Sequence, residues 1–254
     1  MQQSSTGTPP MDSGYYAACA GFAAQAQALD LVAHNLANLG TAGFRGQQPT
    51  FRSLMAGGGW VSSNPLNAAV NDFSVIGGSR LDYSSGALTG TGSPLDLAIA
   101  GSGFFAVQTP DGVAYTRNGS FHLTPTGQLM TPDGNAVLGE QGPINLPNGS
   151  VAVSSDGTVS VDGAVAAKLM LTEFAPNVNL SPTGNALYAA PDGTALAAAT
   201  SSVRQGMLEG SNVSAVESVV QLIRLQRNAE MMQRALSLFD STLNTTATQD
   251  LPHV

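Results

Sequence analysis

Two aspartates in the middle of the chain are the first candidates for chemistry. Asp156 and Asp162 lie close together in sequence, and a pair of carboxylates can supply the acid and the base of a hydrolase. Each directly precedes a glycine, however, and Asp-Gly is typical of turns in which the carboxylate bonds to the local backbone. Their spacing also differs from that of an EF-hand calcium loop. We predict neither a catalytic nor a metal site from this pair, and a hydrolase using it stays an alternative.

The histidines, the cysteine and one glycine-rich segment add no stronger candidate. His34 falls on a predicted helix, His122 on a predicted strand and His253 in the tail. Cys19 is the only cysteine, which excludes an internal disulfide and a cysteine-based metal site. "GSGFFA" at 101–106 matches a loose dinucleotide-binding pattern, but a strand follows it where that pattern needs a helix. We predict no catalytic residue, no metal and no cofactor.

Composition excludes several classes of partner. The 254 residues carry a net charge of −8, and the nine Lys and Arg form no cluster that could neutralise phosphates. Nucleic acid and anionic membrane surfaces are therefore not expected, and no apolar run is long enough to span a membrane. Charged residues make up only 10%, which favours a surface that packs against copies of itself. The first residues lack the basic and apolar regions of a secretory signal, so we expect none to be cleaved.

The N-terminal part of the chain predicts an amphipathic helix over 13–38. Gly40 and Gly43 follow it, and glycine tolerates the positive φ that ends helices. Alternating spacings of three and four are those of a heptad seam. The seam consists of Tyr15, Cys19, Phe22, Ala26, Leu29, Ala33 and Leu36.

A second helix is predicted near the C-terminus. "SAVE" at 214–217 matches a capping box, in which Ser214 and Glu217 bond to each other's backbone N–H groups. The same heptad spacing follows. This seam consists of Leu222, Leu225, Ala229, Met232, Leu236, Phe239 and Leu243. Each seam alone would leave an apolar stripe in water, so we predict that the two helices pair.

Between the helices the chain reads as β structure. Alternating apolar residues such as Val159 and Val161 predict half-buried strands, and "TPDG" at 109–112 and 131–134 predicts turns. Asn118-Gly119 is the strongest local hairpin signal, because a type I′ turn needs positive φ at both central residues.

The predicted fold is mixed α and β, with long N- and C-terminal coiled-coil-forming helices bracketing a compact, all-β, hairpin-rich domain. We divide the chain into a flexible extension (1–12), the N-terminal helix with a turn motif (13–46), a Gly/Ser-rich loop or arm (47–92), the β domain (93–200), the C-terminal helix (207–246) and a tail (247–254).

Three motifs together resemble the flagellar basal-body rod and hook protein family. "NLANLGTAGF" at 35–44 is similar to the family's N-L-A-N-x-x-T-x-G-[FY] motif, with Asn35, Asn38, Thr41, Gly43 and Phe44 in matching positions. "SPLDLAIAGSGFFAVQTPDG" is similar to its central β domain, and "GMLEGSNVSAVESVV" to its C-terminal signature.

The resemblance implies a structural subunit of the flagellar rod that self-assembles, through paired terminal helices, into a helical tube. It implies contacts with copies of itself, neighbouring rod proteins and the flagellar export apparatus, in the periplasmic part of the basal body, and no small-molecule substrate. We predict an assembly interface at Tyr15, Cys19, Phe22, Leu29, Leu36, Leu222, Leu225, Met232, Leu236 and Phe239.

In the turn motif, Asn35 and Asn38 are expected to satisfy free carbonyls, and Gly43 to supply an otherwise disfavoured backbone conformation. The main alternative to a rod subunit is a monomeric β-domain binding module whose helices pack on its own core.

Overall fold

The computed structural model describes residues 11–52, 75–175, 178–197 and 200–249. Most of the predicted extension, the middle of the predicted arm and most of the predicted tail lie outside these residues. The chain divides into two compact units. The first comprises Met1–His34, Gln48–Ser79 and Val216–Val254, and the second comprises Asn35–Gln47 and Arg80–Ala215.

The first unit contains most of two helices, α1 (Met11–Ala37) and α2 (Ala215–Gln249), and most of a two-stranded sheet of β1 (Gln47–Arg52) and β2 (Val75–Leu81). Thr50 Oγ1 donates a hydrogen bond of 2.9 Å to the carbonyl of Gly78 in this sheet. Neither helix, as far as its residues are described, is long and apolar enough to cross a membrane.

The prediction that long coiled-coil helices bracket the β domain is wrong. A coiled coil buries its a and d positions, but Ala26 and Ala33 of the α1 seam are exposed. The buried face of α1 runs instead through Gly21, Ala24, Ala28 and Val32. In an Ala-rich helix many faces look equally apolar, so the spacing could not identify the packed one.

The C-terminal helix does not show a buried seam either. Among its seam residues whose burial is described, Leu222, Leu225 and Met232 are only half-buried. α2 also exposes large apolar side chains at other positions: Val216, Val219, Val220, Ile223 and Met231. The two helices and the strand-rich centre are observed, whereas the helix residues whose burial is described show no coiled-coil pairing.

The second unit is built on a large antiparallel sheet. Its main path follows the order β15, β16, β6, β5, β9, β8 and β7, with β10 beside β9, β14 beside β5 and β17 beside β14. These strands are β5 (Phe104–Thr109), β6 (Gly112–Thr116), β7 (His122–Leu123), β8 (Leu129–Met130), β9 (Ala136–Gly139), β10 (Gly142–Pro143), β14 (Leu171–Glu173), β15 (Ser181–Gly184), β16 (Leu187–Ala189) and β17 (Leu196–Ala197).

Smaller sheets complete this unit. One has the order β11, β12, β13, and two pairs, β3–β19 and β4–β18, join the start of the unit to its end. Their bounds are β3 (Leu88–Gly90), β4 (Leu97–Ala100), β11 (Val151–Val153), β12 (Thr158–Val161), β13 (Ala164–Lys168), β18 (Ser202–Gln205) and β19 (Met207–Glu209).

The central strand β5 separates two apolar clusters. Alternate side chains of a strand point to opposite faces of its sheet. Phe105 and Val107 lie in the larger cluster, with Leu97, Ile99 and Phe121 among its members. Phe104 and Ala106 lie in the smaller one, with Tyr115, Leu180 and Tyr188. β5 is therefore buried on both faces along these four residues.

The turn predictions had mixed outcomes. "TPDG" at 109–112 joins β5 to β6, with Thr109 opposite Gly112, as predicted. The Asn118-Gly119 hairpin prediction is wrong, because β6 pairs with β5 and β16 while β7 pairs with β8. Turns with positive φ at both central residues occur instead at Asp162-Gly163, where φ is 51° and 85°, and at Asn185-Ala186, where φ is 49° and 54°.

Candidate functional site

The turn motif begins in the last turn of α1, continues beyond it and is held by its own asparagines. Asn35 Oδ1 accepts a hydrogen bond of 2.9 Å from the backbone N–H of Gln47, and Asn35 Nδ2 donates one of 2.8 Å to the Gln47 carbonyl. Asn38 Oδ1 accepts from the Thr41 hydroxyl at 3.2 Å. Asn35 therefore fastens the far end of the turn rather than the last carbonyls of the helix. We call residues 35–47 the turn segment.

Gly43 lies where the turn segment meets the central sheet. Its φ is 68°, and its N–H donates to the Glu209 carbonyl at 2.7 Å. A Cβ atom here would come closer than 3.0 Å to the backbone of Arg117 and Asn118. Only glycine allows both this backbone conformation and this approach. The neighbouring Phe44 is buried, and its carbonyl accepts from the Asn212 N–H at 3.3 Å.

Residues 207–213, which we call the C-terminal segment, complete the site just before α2. Asn212 Oδ1 accepts from the Gly46 N–H at 2.7 Å, and Asn212 Nδ2 donates to the carbonyls of Asp82 and Ser84 at 3.1 and 3.0 Å. One amide side chain thus holds the turn segment and the strand exit at 82–84 together. We call this arrangement the junction: the turn segment, the C-terminal segment and Arg117.

The junction encloses a buried ion cluster of Arg45, Arg117 and Glu209. The Glu209 carboxylate lies 2.8 Å from Arg45 Nη2 and 3.2 Å from Arg117 Nη1, and all three side chains are at most 2% exposed. Arg117 also donates to the carbonyls of Ile99 and Gly101 at 3.2 and 2.6 Å. Glu209 Oε1 in addition accepts from the Gly86 N–H at 2.9 Å.

Burial sets the electrostatics of the cluster. Loss of water, together with the like charge of Arg45, lowers the pKa of Arg117 to about 10, although Glu209 opposes both effects. Arg117 therefore stays protonated at neutral pH, with its guanidinium 4.9 Å from the centre of the Phe104 ring. The Glu209 carboxylate offsets the cost of burying this charge.

Tyr188 links the junction to the sheet. Its hydroxyl accepts from the Arg45 N–H at 2.9 Å, and burial raises the pKa of the Tyr188 phenol to about 12. In the unfolded chain a tyrosine ionises near pH 10. The contribution of Tyr188 to the free energy of unfolding is therefore complete below pH 10 and is lost as the pH rises from 10 toward 12.

We predict a stability loss at alkaline pH that Tyr188→Phe removes. Because the unfolded state ionises first, the free energy of unfolding should fall by about 1.4 kcal/mol from this residue by pH 11. Urea unfolding of both proteins between pH 8 and 11 measures the effect. The variant also loses the hydrogen bond from Arg45, which lowers its stability at every pH. The test is therefore how steeply the free energy of unfolding falls with pH in each protein. Equal slopes would contradict the prediction.

The predicted assembly residues are placed on both helices, but not all their side chains are described. Tyr15 and Cys19 lie in α1, and Leu236 and Phe239 in α2, at positions whose side-chain burial lies outside the described part. The remaining six are half-buried: Phe22, Leu29, Leu36, Leu222, Leu225 and Met232. Their assignment to an assembly interface stays a prediction.

The residues weighed for catalysis serve the fold locally. The Asp156 carboxylate accepts from the N–H and hydroxyl of Thr158, and the Asp162 carboxylate accepts from the Ser150 N–H at 2.9 Å. His122 is exposed on β7. The described residues include no group of His, Cys, Asp and Glu that could hold a metal ion. "GSGFFA" leads into strand β5, as predicted.

Sequence reasoning missed the ion cluster. Arg45 directly follows the turn motif, and Glu209 lies in the C-terminal signature, but neither motif assigns a role to these two residues. The available signal was the scarcity of charge: charged residues make up only 10% of the chain, and each of the three cluster residues lies in one of the sequence motifs or beside one.

Comparison of the sequence with known proteins shows the family of this chain. The family model "Flagellar hook protein FlgE/F/G D1 domain" matches residues 98–161, and "Flagellar basal body rod FlgEFG protein C-terminal" matches 204–249. Flagellar basal-body rod protein FlgG of Caulobacter vibrioides is 33% identical over 91% of this chain and 96% of its own. The chain belongs to the flagellar basal-body rod protein family.

Rod proteins named FlgG and rod proteins named FlgF are both similar to this chain. FlgG of Bacillus subtilis is 32% identical over 85% of this chain and 90% of its own. FlgF of Rhizobium meliloti is 35% identical over 85% of this chain and 89% of its own. The stronger likeness of "MDSGYYAACAG" and "VLGEQGPINLPNG" to rod protein F than to rod protein G stays a prediction, because the relatives include both. In this rod-family chain the junction contains the N-terminal turn motif and the first part of the C-terminal signature.

Proposed function

We propose that this chain is a structural subunit of the bacterial flagellar rod and self-assembles into a helical tubular drive shaft. The junction is the observation that carries the proposal. Residues 35–47 and 207–213 are far apart in sequence, yet hydrogen bonds from Gly43 and Gly46 join them directly. Such a junction gives every copy the same chain geometry at the end of α1 and the start of α2. Repeating one contact with a rotation that does not close builds a helical assembly.

The exposed apolar residues of α2 support contacts between copies. Val216 is 77% exposed and Met231 60%, in a helix whose side chains at Leu222 and Leu225 are only half-buried. Helices in proteins derive most of their stability from packing, so a neighbouring subunit would stabilise such a surface. We therefore assign the two helices, with the residues predicted from their spacing, to contacts between subunits.

The proposed partners are copies of this chain, neighbouring rod proteins and the flagellar export apparatus. The proposed location is the periplasmic section of the basal body. A chain that completes its helical packing only beside other copies would remain suited to export until it reaches the growing end. The proposal includes no enzymatic activity, no cofactor, no nucleic acid and no insertion into a membrane.

Incorporation into basal bodies tests the proposal. In a strain lacking the chromosomal copy, tagged wild-type chain should be recovered in purified basal bodies. Ile223→Gln should reduce recovery at least tenfold, because a polar side chain replaces an exposed apolar one on α2. Val165→Gln is the matched control, since Val165 is 74% exposed but lies on strand β13. Absence of the wild-type chain from basal bodies would contradict the rod function itself.

Limited proteolysis separates the rod from the binding-module alternative. If the helices fold only on assembly, residues before Asn38 and after Ser214 should be cleaved rapidly in the purified monomer and protected in basal bodies. Protection of both segments in the monomer would show that the helices already have an internal partner and would favour the binding module.

A further inference from the structure

The ion cluster of the junction is unbalanced in charge. Two guanidinium groups, Arg45 and Arg117, share the single carboxylate of Glu209, and all three are buried. Arg45 Nε and Arg117 Nε are buried without a hydrogen-bond acceptor among the described residues. Hydrogen bonding alone therefore does not satisfy the two arginines. An uncompensated buried charge is strongly destabilising, so the cluster depends on its one anion.

The three side chains come from different parts of the chain. Arg117 follows strand β6, and the carbonyls of Ile99 and Gly101 hold it to the central sheet. Arg45 arrives with the turn segment, bringing a like charge to the same buried place. Glu209 arrives with strand β19, more than ninety residues after Arg117. Without Glu209, docking of the turn segment would bury two neighbouring positive charges with no anion between them.

We propose that Glu209 is a charge latch, which makes docking of the turn segment onto the central sheet conditional on the C-terminal segment. The turn segment stays undocked until the C-terminal segment, residues 207–213, has paired with strand β3. The junction then closes around the carboxylate in one step. This inference concerns the order of folding and does not depend on the proposed rod function.

One hydrogen bond reports on the latch without belonging to the C-terminal segment. The Arg45 N–H donates to the Tyr188 hydroxyl on strand β16, so neither partner is removed by a change at Glu209. If docking were only a sum of local contacts, this bond would survive loss of the carboxylate. If Glu209 is a latch, this bond opens together with the rest of the junction.

Hydrogen exchange of the full chain tests this coupling. Glu209→Gln keeps an oxygen that can accept from the Gly86 N–H but removes the charge. The Arg45 amide should then exchange at least tenfold faster, while the amides of strands β5 and β6 remain protected. Glu140→Gln is the control, because Glu140 forms an exposed ion pair with Lys168 at 2.7 Å, and such pairs contribute little. Unchanged exchange at Arg45 in Glu209→Gln would overturn the latch.

A second variant separates charge from hydrogen bonding. Adding Arg45→Gln to Glu209→Gln removes one of the two like charges and should slow exchange at position 45 at least threefold relative to the single variant. Arg117 still lacks its anion, so the rate should stay above that of the wild type. Exchange that stays as fast as in the single variant would mean that the lost bonds of Glu209, not charge, hold the junction. That result would also overturn the proposal.

Refolding of the unaltered chain gives an independent test of the order, even if Glu209→Gln does not fold. The Gly210 N–H donates to the Ala87 carbonyl at 2.8 Å and reports docking of the C-terminal segment. In pulse-labelled refolding, the Arg45 amide should become protected together with the Gly210 amide or after it. Protection of Arg45 before Gly210 would overturn the latch.

Discussion

Gly119→Ala should destabilise the second unit by about 4 kcal/mol or prevent its folding. A Cβ atom at this position would overlap the carbonyl oxygen of Leu97 and lie 3.2 Å from the Phe105 ring. The Leu97 N–H donates to the Gly119 carbonyl at 2.9 Å, so the two backbones cannot separate without losing a bond. Overpacking costs about 1–3 kcal/mol, and leaving a buried N–H unpaired costs about 1–3 kcal/mol more.

Urea unfolding of Gly119→Ala beside a matched control measures this effect. Gly90→Ala is suitable, because Gly90 ends strand β3 and no atom is within 4 Å of its Cβ position. We expect the control to stay within about 0.5 kcal/mol of the wild type. A similar, small change in both variants would mean that the crossing of residues 119 and 97 is looser than the structure shows.

Gly43→Ala should cost about 3 kcal/mol and undock the turn segment. The φ of 68° is strained for alanine, and the new methyl group would overlap the backbone of Arg117 and Asn118. Strain and overpacking each cost about 1–3 kcal/mol. Moving Gly43 outward would break its bond to the Glu209 carbonyl and draw Arg45 away from its carboxylate partner.

Gly40→Ala provides the control for this position. Gly40 lies in the same turn segment, but its Cβ position has no neighbour within 4 Å. Free energies of unfolding from urea titrations should therefore differ between the two variants by at least about 2 kcal/mol. In cells, Gly43→Val should abolish incorporation into basal bodies, whereas Gly40→Ala should preserve it. Normal motility of the Gly43→Val strain would contradict the role of the turn.

The strands and turns show how far local patterns reach. "TPDG" at 109–112 forms its hairpin because proline and Asp-Gly favour the turn whatever surrounds it. Asn118-Gly119 has the stronger local signal but is used for a close backbone crossing with Leu97. Turns with positive φ at both central residues are made at Asp162-Gly163, a pair that favours them, and at Asn185-Ala186, in the local hairpin of β15 and β16. At Asn118-Gly119, long-range pairing thus overrode the local preference.

The sequence by itself determined the family, the two terminal helices, the strand-rich centre and the need for glycine in the turn motif. These features follow from periodicity, turn chemistry and motifs, which act over a few neighbouring residues. Only the tertiary structure decided which face of the Ala-rich α1 is buried and that Arg45, Arg117 and Glu209 share one site. The reason is physical: a buried charge is tolerated only beside its partner, and that partner lies far away along the chain.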